Sequence, residues 1–448
     1  MGWSGRTHSE LGGAFDPAKR GDGRCNSKGW SIIHSYLGRI RHFDHDIHLY
    51  LFASVWVGFA VMPGIPAVVL NLYLLRLGYG PEFIGMFNGM SSLGFALSCL
   101  PAGALGARLG SRRSMSGGLI VTMLGYLVLP LAEMLPLLMG AWLIAMRLMI
   151  GFGMALFFVN ARPFVMALAH PRMRGHIFSM RSAVQPLGGF AGSLLAGFLP
   201  GFFAQLYHTT LDHPLPYRLP LLIAPFLLLP ALIAVWRTRD ASTQRSQEPE
   251  RPNVSESKLP LVTIGLVAFF SLFRGVGRGS VSAFFNVYLD STLNVPTATI
   301  GTIGAMGQIV GIVLALFTPL FIARLGNELS YLLGSLTTAL GLLLIALVPH
   351  WAVAGLGAVG VNALAAITVP TFSVYQMEAV DTPWRSTMSG STSMAIGVSR
   401  SLIAVGGGVI VAAIGYRSLF AMGAGLMLVG GLLFLIFGMG LSGNSTGE

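Results

Sequence analysis

The chain has 448 residues, of which 54% are apolar and only 10% are charged. Soluble domains carry about 25% charged residues, so this composition excludes an ordinary water-soluble enzyme. The formal net charge of +11 and the mean hydropathy of +0.71 together predict a membrane protein with basic segments outside the bilayer.

Apolar runs follow one another along most of the chain. A helix needs about 20 such residues to cross a bilayer, so the sequence predicts an all-α membrane protein with twelve transmembrane helices. The predicted spans are 48–76, 82–107, 113–132, 135–160, 175–203, 217–236, 260–289, 297–323, 328–348, 350–376, 386–412 and 417–440. Two polar stretches outside this pattern, 1–46 and 237–258, are typical of disordered chain.

The second half of the chain repeats the first. The tetrapeptide ARLG at 107–110 recurs at 323–326, an offset of 216 residues, and Ile84-Gly85 recurs at Ile300-Gly301 with the same offset. NLYL at 71–74 meets NVYL at 286–289, an offset of 215. Three matches in order predict two similar six-helix halves. The predicted domains are a polar tail (1–46), an N-terminal half (47–236), a linker (237–258), a C-terminal half (259–441) and a short tail (442–448).

The distribution of positive charge predicts the orientation. With the N-terminus in the cytoplasm, the cytoplasmic tails and loops hold 19 of the 28 Lys and Arg, and the external loops hold only Arg76, Arg218 and Arg417. The positive-inside rule therefore predicts that both termini are cytoplasmic. The protein is expected to lie in the cytoplasmic membrane. The positive net charge is then explained by the orientation of the protein in the membrane, so binding to nucleic acid is not expected. Membrane lipids are the expected partners of these basic segments.

The loop after the second predicted span carries a motif. The run 103–113, GALGARLGSRR, resembles the G-x-x-x-D-R-x-G-R-R motif of the major facilitator superfamily at Gly103, Arg108, Gly110 and Arg112. Ala107 stands where that family has Asp, and the second copy retains Arg324 and Gly326. Arg147-Leu148-Met149-Ile150-Gly151-Phe152-Gly153 is similar to the R-x-x-x-G-x-G pattern of the family's fourth span.

The resemblance implies a secondary transporter whose halves, related by a pseudo-two-fold axis, rock about a site lined by spans 1, 4, 7 and 10. Gly103, Arg108, Gly110, Arg112, Arg324 and Gly326 would control its conformational change. The resemblance also implies that span 5 packs against span 8. The small-residue spacing of Gly188 and Gly192, and of Gly307 and Gly311, predicts where they touch.

Helix-breaking residues occur at matching positions of spans 1 and 7. Pro63, Gly64 and Pro66 interrupt span 1, and Gly275, Gly277 and Gly279 are predicted to interrupt span 7. Paired interruptions mark the binding site in many transporters. The alternative is that these residues only bend packed helices.

Several arginines fall inside the predicted spans, and no Asp or Glu falls in the central part of any span. Arg147, Arg274, Arg278 and Arg400 all count to near the membrane centre. A guanidinium there costs about 2.5–3.5 kcal/mol even on the lenient insertion scale, so an unpaired one is expected to have a use. An anionic substrate would supply the missing charge, with Arg274, Arg278 and Arg147 as candidate ligands. A structural role is the alternative for Arg147, and the favoured one for Arg400.

Three functions remain open from the sequence. A small organic anion moved by exchange or facilitated diffusion fits the arginines, since no buried carboxylate is available for proton coupling. A multidrug exporter coupled to protons fits an apolar cavity lined by Phe269, Phe270, Phe273 and Trp56. A receptor or lipid scramblase on the same fold is the third. No motif for ATP, metal or nucleophilic catalysis is found, so the protein is not expected to be an enzyme or to need a cofactor or metal. It is expected to act as a monomer.

Overall fold

The computed structural model describes residues 44–168, 174–239, 260–380 and 384–438. Within these ranges twelve helical segments are long and apolar enough to cross a membrane, which confirms the predicted all-α fold. The predicted tails up to residue 43 and from residue 439, and most of the predicted linker, lie outside the described residues.

The spans are numbered 1 to 12 in chain order. The helices are His45–Ala60 and Ile65–Arg76 (span 1), Pro81–Leu109 (span 2), Ser111–Val128 (span 3), Met139–Leu168 (span 4), Arg174–Leu206 (span 5), Leu215–Ile223 and Leu229–Arg237 (span 6), Leu261–Ser291 (span 7), Thr297–Leu347 (spans 8 and 9), Trp351–Glu378 (span 10), Arg385–Ile414 (span 11) and Tyr416–Leu433 (span 12). The short 3-10 segments Leu129–Met134 and Phe226–Leu228 extend span 3 and join the two parts of span 6.

The two halves pack in the same way. In the N-terminal half, span 1 packs on spans 5 and 6, and span 4 packs on spans 2 and 3. In the C-terminal half, span 7 packs on spans 11 and 12, and span 10 packs on the helix that forms spans 8 and 9. The halves meet through spans 2 and 11, spans 5 and 8, and spans 1 and 7, which is the pairing that a two-fold axis produces.

Span 1 is broken as predicted, and span 7 is not. The helices of span 1 stop at Ala60 and restart at Ile65, whereas one helix runs from Leu261 to Ser291. Proline removes a backbone donor and clashes with the preceding turn. Glycine only weakens a helix, by about 1 kcal/mol. The prediction of a break at Gly275, Gly277 and Gly279 was therefore wrong, because span 7 holds no proline.

The two ARLG copies end differently. The helix of span 2 stops at Leu109, and Gly110 has a φ of 90°, a conformation that favours glycine and turns the chain into span 3. Gly326 lies inside a helical stretch, Thr297–Leu347, so it does not end a helix as Gly110 does. The chain nevertheless reverses between spans 8 and 9. An added Cβ at Gly355 would lie 3.1 Å from Ile303, and one at Gly357 would lie 3.0 Å from Ile345, so both spans run beside the start of span 10.

Spans 5 and 8 do pack together, but through other glycines than predicted. A Cβ added at Gly301 would lie 2.5 Å from the Cα of Gly197, so the two backbones touch there. Gly192 instead packs on Gly64 in the break of span 1, and Gly311 faces Ala363 of span 10 at an ordinary distance of 3.6 Å. The small-residue spacing therefore predicted correctly that helices pack closely, but it predicted the wrong contacting residues.

Candidate functional site

Three arginines of the C-terminal half line one pocket. Arg274 and Arg278 come from span 7 and Arg400 comes from span 11, and the pocket has a volume of about 40 Å³. The other lining residues are Tyr331, Ser335, Thr338, Val361, Ala365, Thr368, Val369, Ile396 and Met427. None of the lining residues is acidic. The pocket is therefore a cluster of positive charge inside one half of the protein.

Helix geometry and two glycines bring the arginines together. Arg274 and Arg278 are four residues apart, so they lie on one face of span 7. Span 11 approaches span 7 closely, since a Cβ added at Gly275 would lie 2.6 Å from the Oγ of Ser399, and one at Gly279 would lie 2.7 Å from Ile403. The glycines that were predicted to break span 7 instead allow span 11 to pack close to it, which places Arg400 in the pocket.

Among the described residues, the three guanidinium groups have no partner of opposite charge. In the part of the chain that the structure describes, none of them donates a hydrogen bond or forms an ion pair, and the Nε of Arg400 is buried without an acceptor. Arg274 lies over the ring of Phe372, 4.9 Å from the ring centre, a cation–π contact that fixes the side chain without neutralising it. Buried polar groups normally have partners, so three arginines without one among the described residues are unusual.

An aromatic cluster closes the pocket toward the ends of spans 10 and 12. Tyr331 lines the pocket and packs on Phe372 and Phe434, with ring centres 5.1 and 4.6 Å apart. Phe270 packs on Phe434 at 5.6 Å. At another edge of the pocket Val369 is 39% exposed, so the pocket opens beside span 10.

The structure brings some of the predicted site residues together and separates others. Spans 7 and 10, two of the four spans expected to line a central site, contribute to this pocket, whereas its lining includes nothing from spans 1 and 4. Arg147 lies in the N-terminal half, where it donates to the hydroxyl of Tyr126 at 3.3 Å and lies 5.1 Å over Phe87. These contacts fit the structural alternative for Arg147. The sequence favoured a structural role for Arg400, and the structure places that residue in the lining of the pocket.

The break in span 1 is held by span 5. The hydroxyl of Ser193 donates to the carbonyl of Pro63 at 2.9 Å, and the side-chain amide of Gln185 donates to the carbonyl of Met62 at 3.3 Å. Gly64 and Pro66 are both buried. Side chains of a neighbouring helix thus replace the hydrogen bonds that the break removes.

Two arginines that the sequence did not single out as ligands lie near the ends of spans 4 and 5. Arg162 donates to the hydroxyl of Ser389 on span 11 at 3.0 Å, a hydrogen bond between the halves. Arg181 lies 5.3 Å over Phe158 and 6.0 Å over Tyr50. Their positions inside apolar spans were visible in the sequence, but the contact with the other half was not.

The halves are joined by polar contacts at the face that contains the ends of spans 1 and 7, here named the Asp290 face. Arg76 forms a two-pronged ion pair with Asp290, with N–O distances of 2.7 and 2.8 Å. Asn71 donates to the carbonyl of Ala283 at 3.0 Å, and Asn286 donates to that of Ala67 at 2.8 Å. This face is closed in the structure.

The comparison with protein families decides what kind of molecule carries this pocket. Residues 47–404 match the family model described as Major Facilitator Superfamily. The chain belongs to this superfamily. It is therefore a multi-pass membrane protein and a secondary transporter rather than an enzyme.

Solved structures of superfamily members share the fold at low sequence identity. The xylose transporter XylE from E. coli, in an inward open conformation, matches with a TM-score of 0.70 and 13% identity over 87% of this chain and 95% of that one. A mutant of the nucleoside transporter NupG gives 0.67 and 15% over 87% and 99%. A bacterial homologue of the human lysosomal transporter Spinster gives 0.60 and 16% over 88% and 93%. These likenesses support the fold and leave the subfamily open.

The residues of the superfamily motif have different surroundings. Arg112 donates to the carbonyl of Thr238 at 2.9 Å, so it caps the end of span 6. Arg108 and Arg324 are exposed. Gly103 has room for a larger side chain, since an added Cβ would lie 3.8 Å from Val159, whereas Gly106 packs directly on the side-chain amide of Asn160. The motif indicated Gly103, whereas the close contact between helices is made by Gly106, one turn later.

Proposed function

We propose that this superfamily member transports a small organic anion by exchange or facilitated diffusion, and that Arg274, Arg278 and Arg400 bind its anionic group. The observation that carries the proposal is the pocket itself, in which three guanidinium groups share about 40 Å³ without a carboxylate in its lining. Guanidinium groups match carboxylate and phosphate oxygens with paired hydrogen bonds. A bound anion would satisfy donors that the described protein leaves unpaired.

The closed Asp290 face supports a rocking mechanism. Arg76, Asn71 and Asn286 hold the halves together at that face. If both termini are cytoplasmic, as the charge distribution predicts, the Asp290 face is the external one. We infer that the anion exchanges with the cytoplasm in this state and that opening to the outside requires these contacts to break.

The charges of the pocket favour exchange over proton coupling. A proton-coupled site commonly uses a carboxylate whose protonation follows the transport cycle. The lining of this pocket offers none. When the anion leaves, the three arginines remain without a counter-charge and repel one another at low dielectric. The conformational change that returns the empty pocket to the other side is therefore unfavourable in free energy. A second anion that takes its place removes that cost.

The multidrug alternative has less support. Phe270 packs on Phe434, and Phe273 lies against Gly430, so both rings point toward span 12 rather than into the pocket. Trp56 packs between Phe52 and Phe59 of its own span.

The test is a thermal-shift screen of the purified protein against organic anions and cationic drugs, since a ligand that binds the folded state raises Tm. We expect anions to stabilise the protein. Arg274→Ala should abolish the shift, and Arg274→Lys should restore part of it, because a point charge replaces a two-pronged donor. Arg237→Gln removes an equal charge from an exposed position at the end of span 6 and should leave the shift intact. Stabilisation by cationic drugs and by no anion would establish the multidrug alternative.

A further inference from the structure

We propose that the arginine pocket selects a compact group with at least two negative charges, such as phosphate or sulfate, over a carboxylate or another monoanion. This inference rests on the proposed function, because it specifies which anion the pocket of Arg274, Arg278 and Arg400 accepts.

The first argument is the charge of the pocket. Three guanidinium groups face one small volume, and the lining residues supply no negative charge. A monoanion would leave two of the three positive charges uncompensated in a low-dielectric setting, whereas a dianion leaves one. Buried charges are retained in proteins when they are paired, so the pocket is best matched by the more highly charged ligand.

The second argument is the size of the pocket. A volume of about 40 Å³ admits a group of a few atoms. The two charges of a dicarboxylate are carried by separate carbon atoms, so its second carboxylate would lie farther from the arginines than its first. Both charges of a phosphate or sulfate group reside on one compact group, which therefore matches a small pocket better.

The third argument is the number and direction of the donors. A carboxylate presents two oxygens in one plane, whereas a phosphate group on an organic molecule presents three oxygens around a tetrahedral centre. The arginines approach from two helices, with Arg274 and Arg278 on span 7 and Arg400 on span 11. Three guanidinium groups on two helices therefore match three oxygens in number better than they match two.

The two threonine hydroxyl groups of the lining contribute less to anion binding. Thr338 donates its proton to the carbonyl of Gly334 at 2.7 Å, and Thr368 donates to that of Leu364 at 3.2 Å. With these protons engaged within their own helices, the arginine N–H groups and the hydroxyl groups of Tyr331 and Ser335 are the remaining donors of the lining.

Sulfate and methanesulfonate provide a matched pair of probes. Both are tetrahedral, and at neutral pH sulfate carries two negative charges while methanesulfonate carries one. Calorimetric titration of the full-length protein in detergent, at constant ionic strength, should give an affinity for sulfate at least about tenfold higher, the factor expected for one more charged hydrogen bond. Calorimetry is preferred here because sulfate also raises Tm without binding.

Arg400→Gln tests whether the third arginine sets this preference. It should weaken sulfate about tenfold or more and change methanesulfonate much less, so that the ratio of the two affinities falls toward one. Arg400→Lys should restore part of the ratio, because the charge returns without the two-pronged geometry. Arg237→Gln is the control and should leave the ratio unchanged.

Methyl phosphate adds a probe whose charge changes with pH. Its second proton leaves near a pKa of about 6, so its affinity should rise as the pH increases through that value, while the affinity for sulfate stays constant. Equal affinities for sulfate, methanesulfonate and acetate would overturn this inference and leave the anion transporter intact. Binding of cationic drugs with no binding of any anion would overturn the proposed function itself.

Discussion

Asn71 and Asn286 occupy equivalent positions in the two halves, and each donates a hydrogen bond to the backbone of the other's helix. The acceptors are the carbonyls of Ala283 and Ala67, at 3.0 and 2.8 Å. The sequence repeat that aligned these two asparagines thus ends in a reciprocal contact across the two-fold axis. Each bond satisfies a polar side chain at the interface between halves that must separate when the transporter opens on this side.

The Arg76–Asp290 ion pair should hold the Asp290 face closed. Its side chains are only 16% and 9% exposed, so Asp290→Asn should weaken the closed state by about 1–3 kcal/mol, between the values for exposed and buried pairs. The measurement is the labelling rate of Ala283→Cys by a membrane-impermeant thiol reagent, with Cys25 and Cys99 replaced by Ser. We expect Asp290→Asn to increase that rate.

Arg218 provides the control for this experiment. It pairs with Glu133 at 3.2 Å, and both residues belong to the N-terminal half. Arg218→Gln should leave the labelling rate of Ala283→Cys unchanged. A similar increase in both variants would mean that the face opens through general loosening rather than through the loss of a contact between the halves.

The hydrogen bond from Ser193 should stabilise the break in span 1. Ser193→Ala leaves the carbonyl of Pro63 without this donor, which should cost about 1–2 kcal/mol and lower Tm. Ser373→Ala serves for comparison, since its hydroxyl bonds the carbonyl of Val369 within its own helix. An equal effect of the two substitutions would show that span 5 does not support the break.

Close contact between Gly197 and Gly301 should be necessary for spans 5 and 8 to slide past one another. An added Cβ at Gly301 would lie 2.7 Å from the carbonyl of Ser193, so Gly301→Ala must push the spans apart. We expect a strongly reduced transport rate in proteoliposomes with normal expression. Gly311→Ala places its Cβ 3.6 Å from Ala363 and should transport at the wild-type rate. Equal rates in both variants would contradict this role of the contact.

The two arginines of the loop between spans 2 and 3 should have separable effects. Arg112 caps the end of span 6, so Arg112→Ala should lower Tm. Arg108 is exposed in this state, so Arg108→Ala should leave Tm unchanged and slow turnover, if the side chain binds only when the other face closes. Normal turnover in Arg108→Ala would remove the conformational role that the motif implies.

The sequence predicted the parts of the fold that depend on composition and failed where helix contacts decide. Apolar runs located all twelve spans, because each must fill the thickness of a bilayer. Proline at position 63 predicted a break correctly, whereas the glycines of span 7 did not break it. A glycine inside a predicted helix indicates either a bend or a close contact with another helix. The position of the neighbouring helix, which the sequence does not give, decides between them.

The candidate site shows the same limit. Arg274 and Arg278 could be paired from their spacing along one helix. For Arg147 and Arg400 the sequence favoured the opposite assignment to the one proposed here, since both are isolated arginines near the middle of a span. The face that each presents depends on helix rotation, which is set by contacts such as those of Gly275 with Ser399 and of Arg147 with Tyr126.

The first spans of the two halves are related in sequence but differ in continuity. Span 7 is one helix that carries Arg278 in the pocket and Asp290 at the closed face, twelve residues or about 18 Å apart. A displacement of one end must therefore reach the other. Span 1, its counterpart, is interrupted between Ala60 and Ile65 and can absorb such a displacement. Span 7 thus has the form of a lever and span 1 that of a joint, so a ligand bound at the proposed site in the C-terminal half would pull directly on the contacts of the Asp290 face.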